Sequence, residues 1–237
     1  MRANHRFVRY SELTPGWVNR EMHLHTEYTD GEASIAEVIQ RAESLGLAEI
    51  AFTEHVRADS AWFPEFADEV RRRAAGCGVR VLVGAEVRIK DFEGSLDITP
   101  EIREHCDIVL ASVHRFPGSN GSLRSFADVP RGDFAEIEYR LARGFVKRGG
   151  ADVLAHPGGM SLRQTGTFPD AYFRSLMAEC RERGVAIEIS SSYLRDLSGF
   201  LNLLEEVDPL VSIGSDAHRL DEIGSCKRMV SEKLWAN

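Results

Sequence analysis

The sequence predicts an α/β fold of the barrel type, and three observations carry the prediction. Stretches of β-type residues alternate with amphipathic helical stretches seven times along the chain. Several strand stretches are unbroken apolar runs, as parallel strands covered on both faces should be. The 237 residues contain no internal repeat and no low-complexity tract, and right-handed crossovers would wrap seven strand–helix units into one barrel. The expected organisation is therefore a single domain over residues 1–237, with 1–19 as an N-terminal extension packed on its outside.

The elements follow in order. Residues 21–26 form the first strand. Ser34 and Glu37 make a capping box, Ile35, Val38, Ile39, Ala42 and Leu45 recur at helical spacing, and Gly46 ends that helix. Residues 48–53 are the second strand, ending at Glu54-His55. Pro64 opens a helix with Phe66, Val70 and Ala74 on one face and Gly76 and Gly78 behind it. Residues 79–87 are the third strand and carry Glu86. A short helix is expected over 99–105, and a fourth strand over 107–113 ends at His114. The Gly-, Ser-, Pro- and Arg-rich stretch 115–132 reads as a long loop, of a length usually tied to function. Asp133 and Glu136 form a second capping pattern before the stripe Phe134, Ile137, Leu141, Phe145 and Val146, which Gly149-Gly150 stops. The fifth strand, 151–155, ends at His156-Pro157-Gly158. Pro169 and Asp170 start a helix that Gly184 closes, and 185–190 is the sixth strand. A helix over 196–206, a seventh strand over 210–215 ending at Asp216-Ala217-His218, and a helix over 220–234 complete the chain.

Composition narrows the function. The net charge is −8, which argues against a nucleic-acid surface of the usual basic kind. Arginine supplies 25 of the 29 basic residues, and its planar fork suits phosphate. Cys77, Cys106, Cys180 and Cys226 form no Cys-x-x-Cys pair, so reduced thiols in a cytoplasmic protein are expected. No signal-like N-terminus and no membrane-spanning apolar run is present.

Histidine placement points to metal. His23 and His25 stand two apart at the first strand, where residues i and i+2 share a face. Of the eight histidines, His23, His25, His55, His114, His156 and His218 fall at or just past a strand end, and His5 and His105 do not. Glu86 and Asp216 also sit at strand ends, and Asp30 lies in the loop after the first strand. The carboxyl ends of parallel barrel strands meet on one face, so nine ligands converge: His23, His25, Asp30, His55, Glu86, His114, His156, Asp216 and His218. Without metal, such a cluster would leave polar groups unpaired. Nine ligands are too many for one tetrahedral ion and fit two or three divalent ions. The His/carboxylate mixture without thiolate suits Zn, Fe or Mn. A loaded site of this kind attracts a phosphate dianion.

The motifs His23-Leu24-His25-Thr26 with Asp30-Gly31, Thr53-Glu54-His55, Gly84-Ala85-Glu86, Ser112-Val113-His114, Ala155-His156-Pro157 and Gly214-Ser215-Asp216-Ala217-His218 resemble the PHP (polymerase and histidinol phosphatase) family from about residue 21 to 225. The resemblance implies a distorted (β/α)7 TIM-like barrel, a trinuclear metal centre and phosphoesterase activity. Residues 187–195 are similar to the histidinol-phosphatase branch, with Ser190 where that branch carries Asn, and Gly158-Gly159 where it tends to carry Asp. The implied function is hydrolysis of a small phosphomonoester, histidinol phosphate or similar, by metal-activated hydroxide. Asp216 would bind metal and manage a proton, with His218 and Arg195 beside it in catalysis. Arg195, Arg163, Arg115 and Arg219 are the candidate phosphate ligands. The alternatives are a nucleotide or cyclic-phosphate phosphodiesterase or exonuclease of the same family, an amidohydrolase, and a non-catalytic metal-binding domain. An amidohydrolase would call for a bridging carboxylated lysine, and only Lys90 lies near a strand end.

Overall fold

The N-terminal stretch contributes a short strand β1 (Val8–Arg9) and a 3-10 turn at Tyr10–Glu12 in a computed structural model that describes residues 6–118 and 123–236. His5 and residues 119–122 of the expected loop lie outside the described residues. Strand β2 (Arg20–Leu24) is followed by helix α1 (Ile35–Ser44), capped as expected: Ser34 accepts from Glu37 N, and Glu37 accepts from Ser34 N at 2.9 Å. Strand β3 (Glu49–Val56) runs further than its apolar core suggested, so Glu54 and His55 lie inside it. Helix α2 (Phe63–Ala74), strand β4 (Arg80–Arg88), the short helix α3 (Pro100–Glu104) and strand β5 (Ile108–Ser112) follow.

The expected loop over 115–132 is more ordered than its composition implied. It holds a hairpin of β6 (Phe116–Pro117) and β7 (Leu123–Arg124), then two 3-10 turns. Helix α4 (Phe134–Arg148) lacks the expected cap. Asp133 is already in the αR region and makes no capping bond, and Glu136 accepts instead from the Tyr172 hydroxyl at 2.6 Å. Strand β8 (Val153–Leu154) is only two residues long. Helix α5 (Gly159–Thr165) lies between the fifth-strand end and Pro169, where no element was expected. Helix α6 (Asp170–Arg183), strand β9 (Ala186–Ser190), helix α7 (Leu197–Val207), strand β10 (Leu210–Gly214) and helix α8 (Ser225–Trp235) end the chain. The last helix starts five residues later than periodicity placed it.

The main sheet has the order β1-β10-β9-β8-β5-β4-β3-β2. Seven strands are mutually parallel, and β1 joins β10 antiparallel. The ring closes between β2 and β10 through a single bridge, Leu24 with Ala217. Two backbone bonds flank it: Ala217 N donates to His23 O (3.2 Å) and His25 N to Ala217 O (2.8 Å). This thin seam is the distortion in a TIM-like barrel. No helix among the described residues is long and apolar enough to cross a membrane.

Strand periodicity then places the site. Residues two apart share a face, so Ala51, Thr53 and His55 form one column, and Leu82, Gly84 and Glu86 another. The lower positions, Ala51, Leu82, Leu110, Val153 and Ala186, pack together with Phe7 as a buried apolar plug. Higher in the same columns stand Thr53 and His55, Glu86, Ser112, and Glu188 and Ser190. Two larger apolar clusters lie between the sheet and its helices.

Candidate metal centre

Glu86 stands at the middle of the polar end. Its Oε1 lies 2.8 Å from His156 Nε2, 3.0 Å from His114 Nε2 and 3.5 Å from His23 Nε2. Its Oε2 lies 2.8 Å from His55 Nδ1 and 3.7 Å from His25 Nε2. Asp216 Oδ1 is 3.0 Å from His25 Nε2 and 3.4 Å from His23 Nε2. Asp30 reaches in from the loop after β2, to His55 Nε2 at 3.3 Å and His218 Nε2 at 3.4 Å. All nine sequence-predicted ligands are thus brought together. They fall into four overlapping groups: His25/Asp30/His55/His218, His23/Glu86/His156, His23/His25/Asp216 and His55/Glu86/His114. Within each group the donor atoms lie within 4.8 Å of one another.

That donor set fits divalent ions. Atoms bound to one ion at about 2.0–2.2 Å lie at most about 4.4 Å apart, close to the spacing seen. His23 Nε2 and His25 Nδ1 are buried without a hydrogen-bond partner, a costly state for protein alone. Two of the nine also sit in strained backbone: His156 has φ 26° and Asp216 φ 51°, values that non-glycine residues rarely hold away from functional sites.

The ring is held from behind by carboxylates. Glu188 on β9 accepts from His23 Nδ1 at 2.8 Å and from His156 N at 2.7 Å, which turns His23 Nε2 toward the centre. Glu54 accepts from Thr26 N (2.8 Å) and Thr26 Oγ1 (2.6 Å) and also from Thr29 Oγ1, fixing the loop that presents Asp30. Gly31 in that loop is required by close approach, since a Cβ there would lie 2.5 Å from His25 O. Glu21 accepts from Ser215 N (2.6 Å), Ser215 Oγ and Gly224 N (3.0 Å), anchoring the segment that carries Asp216.

Burial and charge divide the protons. Burial lowers His55, but Asp30 and Glu86 outweigh it and raise the imidazole to about 10. The Asp30 hydrogen bond raises His218 to about 9. His23 and His156 are also raised, their carboxylate neighbours overcoming burial. Burial takes His25 down to about 4, so it stays neutral among charged neighbours. Burial favours neutral Glu86 and Asp216, yet the surrounding imidazoles hold both carboxyls below their usual range. Burial lifts Glu21 and Glu54 to about 7.

A cleft of about 760 Å³ opens over the ring, and a second hollow of about 340 Å³ adjoins it at Asp216 and His218. Arg115 and Arg163 line the larger space, and Arg163 and Arg195 the smaller. Arg219 lines neither: it is exposed and pairs with Asp221 at 3.2 Å. Its position beside His218 in sequence was misleading because the chain turns outward there. Sequence reasoning passed over Glu188, Tyr193 and Arg57. Glu188 was findable as the lone acid inside an apolar strand. Tyr193 packs on His156 with ring centres 4.7 Å apart and lines both hollows beside Asp216. Nothing local marked Tyr193 or Arg57.

Barrel and site together define a metal-dependent hydrolase, and comparison with known proteins gives the family. Residues 21–192 match the PHP domain model. The chain is 28% identical over 231 residues to a probable phosphatase of Vibrio parahaemolyticus, covering 90% of this chain and 82% of the relative. It is 26% identical over 226 residues to a probable phosphatase of Caldicellulosiruptor bescii, covering 90% and 85%. Among solved structures, a candidate histidinol phosphatase from Listeria monocytogenes superposes with TM-score 0.61 at 17% identity, covering 89% of this chain and 99% of that one. The chain belongs to the PHP domain family. It is a metal-dependent phosphoesterase.

Proposed function

We propose that the nine-residue ring holds two or three divalent ions, of Zn, Fe or Mn, and that the protein hydrolyses the phosphomonoester of a small molecule. One observation carries this reading: Glu86 belongs to two donor groups at once, with Oε1 2.8 Å from His156 Nε2 and Oε2 2.8 Å from His55 Nδ1, as suits a carboxylate shared between ions. When bound, such ions lower the pKa of water to about 7 and polarise phosphoryl oxygens. Asp216, between His23 and His25, is positioned to hold a proton taken from water. His218 is held by Asp30 at the edge of the ring, where it lines both hollows. Arg163, Arg115 and Arg195 bring positive charge to the two hollows, and Arg219 is set aside because it lines neither and pairs with Asp221.

Lys90 does not line the cleft, so the carboxylated lysine an amidohydrolase would call for has no candidate there, and Glu86 would be the carboxylate shared between ions, which favours phosphoester over amide hydrolysis. The similarity of residues 187–195 to the histidinol-phosphatase branch puts histidinol phosphate among the monoesters to be tested, although the arginines of the cleft disfavour its ammonium group. The four free cysteines accord with a cytoplasmic setting. The test is phosphate release by metal-reconstituted protein from p-nitrophenyl phosphate, bis-p-nitrophenyl phosphate and a phosphomonoester panel including histidinol phosphate. Release from monoesters supports the reading, diester preference supports the phosphodiesterase alternative, and no release from any overturns both.

A further inference from the structure

The cleft wall beyond the donor ring is basic. Arg57, Arg88, Arg115, Arg124 and Arg163 line the larger hollow, and Arg195 joins Arg163 in the smaller one. Arg88 is neutralised by Asp97 at 2.6 Å. The other five guanidinium groups have no carboxylate within ion-pair distance among the described residues. Every acid on the wall of the larger hollow, Asp30, Glu86 and Asp216, belongs to the ring. In the smaller hollow Glu222 is occupied, accepting from the backbone of His218 and Arg219. This concentration of positive charge stands against a chain of net charge −8. A single phosphate seated at the ring would leave most of these arginines facing solvent in a concave wall, where a guanidinium fork is suited to meet an anion.

We propose that the substrate's leaving group carries a second anionic group, a phosphate or a carboxylate, held by these arginines apart from the scissile phosphate. The inference rests on the phosphoesterase reading, because it assigns one phosphate to the ring and asks what the remaining arginines bind. A volume of about 760 Å³ leaves room for both ends of such a molecule, within the usual span of small-molecule sites, about 300–1,000 Å³. Phe126 and Met160 on the same wall offer the connecting carbon skeleton an apolar surface. A leaving group bearing an ammonium, as histidinol phosphate does, meets like charge.

Four non-hydrolysable phosphonates of equal length test this by calorimetry on Mn-reconstituted protein: propylphosphonate, 3-phosphonopropionate, propane-1,3-diphosphonate and 3-aminopropylphosphonate. At least one of the two ligands with a second anion should bind about tenfold tighter than propylphosphonate, well beyond the twofold statistical advantage of a symmetrical diphosphonate. Which of the two gains more identifies the anion. The amine should bind weakest. Arg163→Met and Arg195→Met should each shrink the ratio of the preferred ligand to propylphosphonate. Equal affinities across the series, or tightest binding of the amine, overturns the proposal. Phosphate release from the ester panel is read separately. The expected ranking without hydrolysis of any ester sinks the hydrolase reading and leaves the anion subsite standing. Hydrolysis without the ranking does the reverse.

Discussion

Individual side chains at the ring make distinct demands. His23 and His25 are buried and contribute imidazole nitrogens that nothing else satisfies, so His23→Ala and His25→Ala should lose bound metal, measured by elemental analysis, while far-UV circular dichroism stays unchanged. Glu188 uses one oxygen for His23 and the other for His156 N. Glutamine keeps the shape but has only one acceptor, so Glu188→Gln should weaken metal binding by about 10–100-fold, read by competition with a chelator. Proton bookkeeping gives a further expectation. His55 and His218, raised to about 10 and about 9, are protonated at pH 7 in metal-free protein and must lose those protons to coordinate. Calorimetry in buffers of different ionisation enthalpy should show at least two protons released on metal binding at pH 7. Affinity should fall as pH falls, about tenfold per unit for each proton displaced.

Elements set how closely those side chains can approach. Gly214 ends β10 directly against β2, where a Cβ would collide with His23 Cβ and lie 2.5 Å from Glu188 Oε1. Gly214→Ala should therefore lower both the melting temperature and metal content, which separates it from the alanine variants above. At this scale the sequence was informative where one local rule acts alone. The Ser34–Glu37 box formed because both groups are exposed and have no rival partner. The Asp133–Glu136 pattern failed because Tyr172, 36 residues away, took the Glu136 carboxylate. The seven parallel strands were legible because burial on both faces writes itself as apolar runs. β8 shrank to two residues although its apolar run is longer, since His156, at φ 26°, turns the chain out of the sheet just beyond it. All nine ring residues were readable because strand ends in this topology share one rim. The roles of Glu188 and Tyr193, and the places of Arg57 and Arg124 in the basic wall, escaped notice because they depend on which strands and loops become neighbours, which no single stretch encodes. Arg219 differs for the same reason: five residues beyond β10 its side chain is exposed and paired with Asp221.

For the molecule as a whole, the metal-free protein should have a stability optimum at mildly acidic pH. His55 and His218 have folded pKa values above their unfolded value, so their contribution is complete below about 6.5 and is lost as pH rises through about 9 and about 10. Glu21 and Glu54, raised to about 7, are favoured in their protonated form, so the fold also weakens as pH climbs from about 4.5 to 7. Glu86 and Asp216 act oppositely: their lowered values give stability that is present above the unfolded carboxylate pKa and lost in acid. The thermal midpoint of chelator-treated protein should therefore peak near pH 5 to 6 and decline on both sides. Metal reconstitution should raise the midpoint most at neutral and alkaline pH. A monotonic rise toward alkaline pH without metal would contradict the assigned proton distribution.

The thin seam between β2 and β10 has a topological consequence. His25 and Asp216 face each other across it, separated by 191 positions in the chain. An ion shared by them would tie the two ends of the barrel together much as a crosslink does. Closing a loop of that length restricts the unfolded chain by about 5 kcal/mol in the disulfide limit. The reaction centre would then double as a clasp. Removing the ions should unlatch the ring at Leu24 and Ala217 first, so amide exchange should quicken there while β4 and β5, on the far side, stay protected.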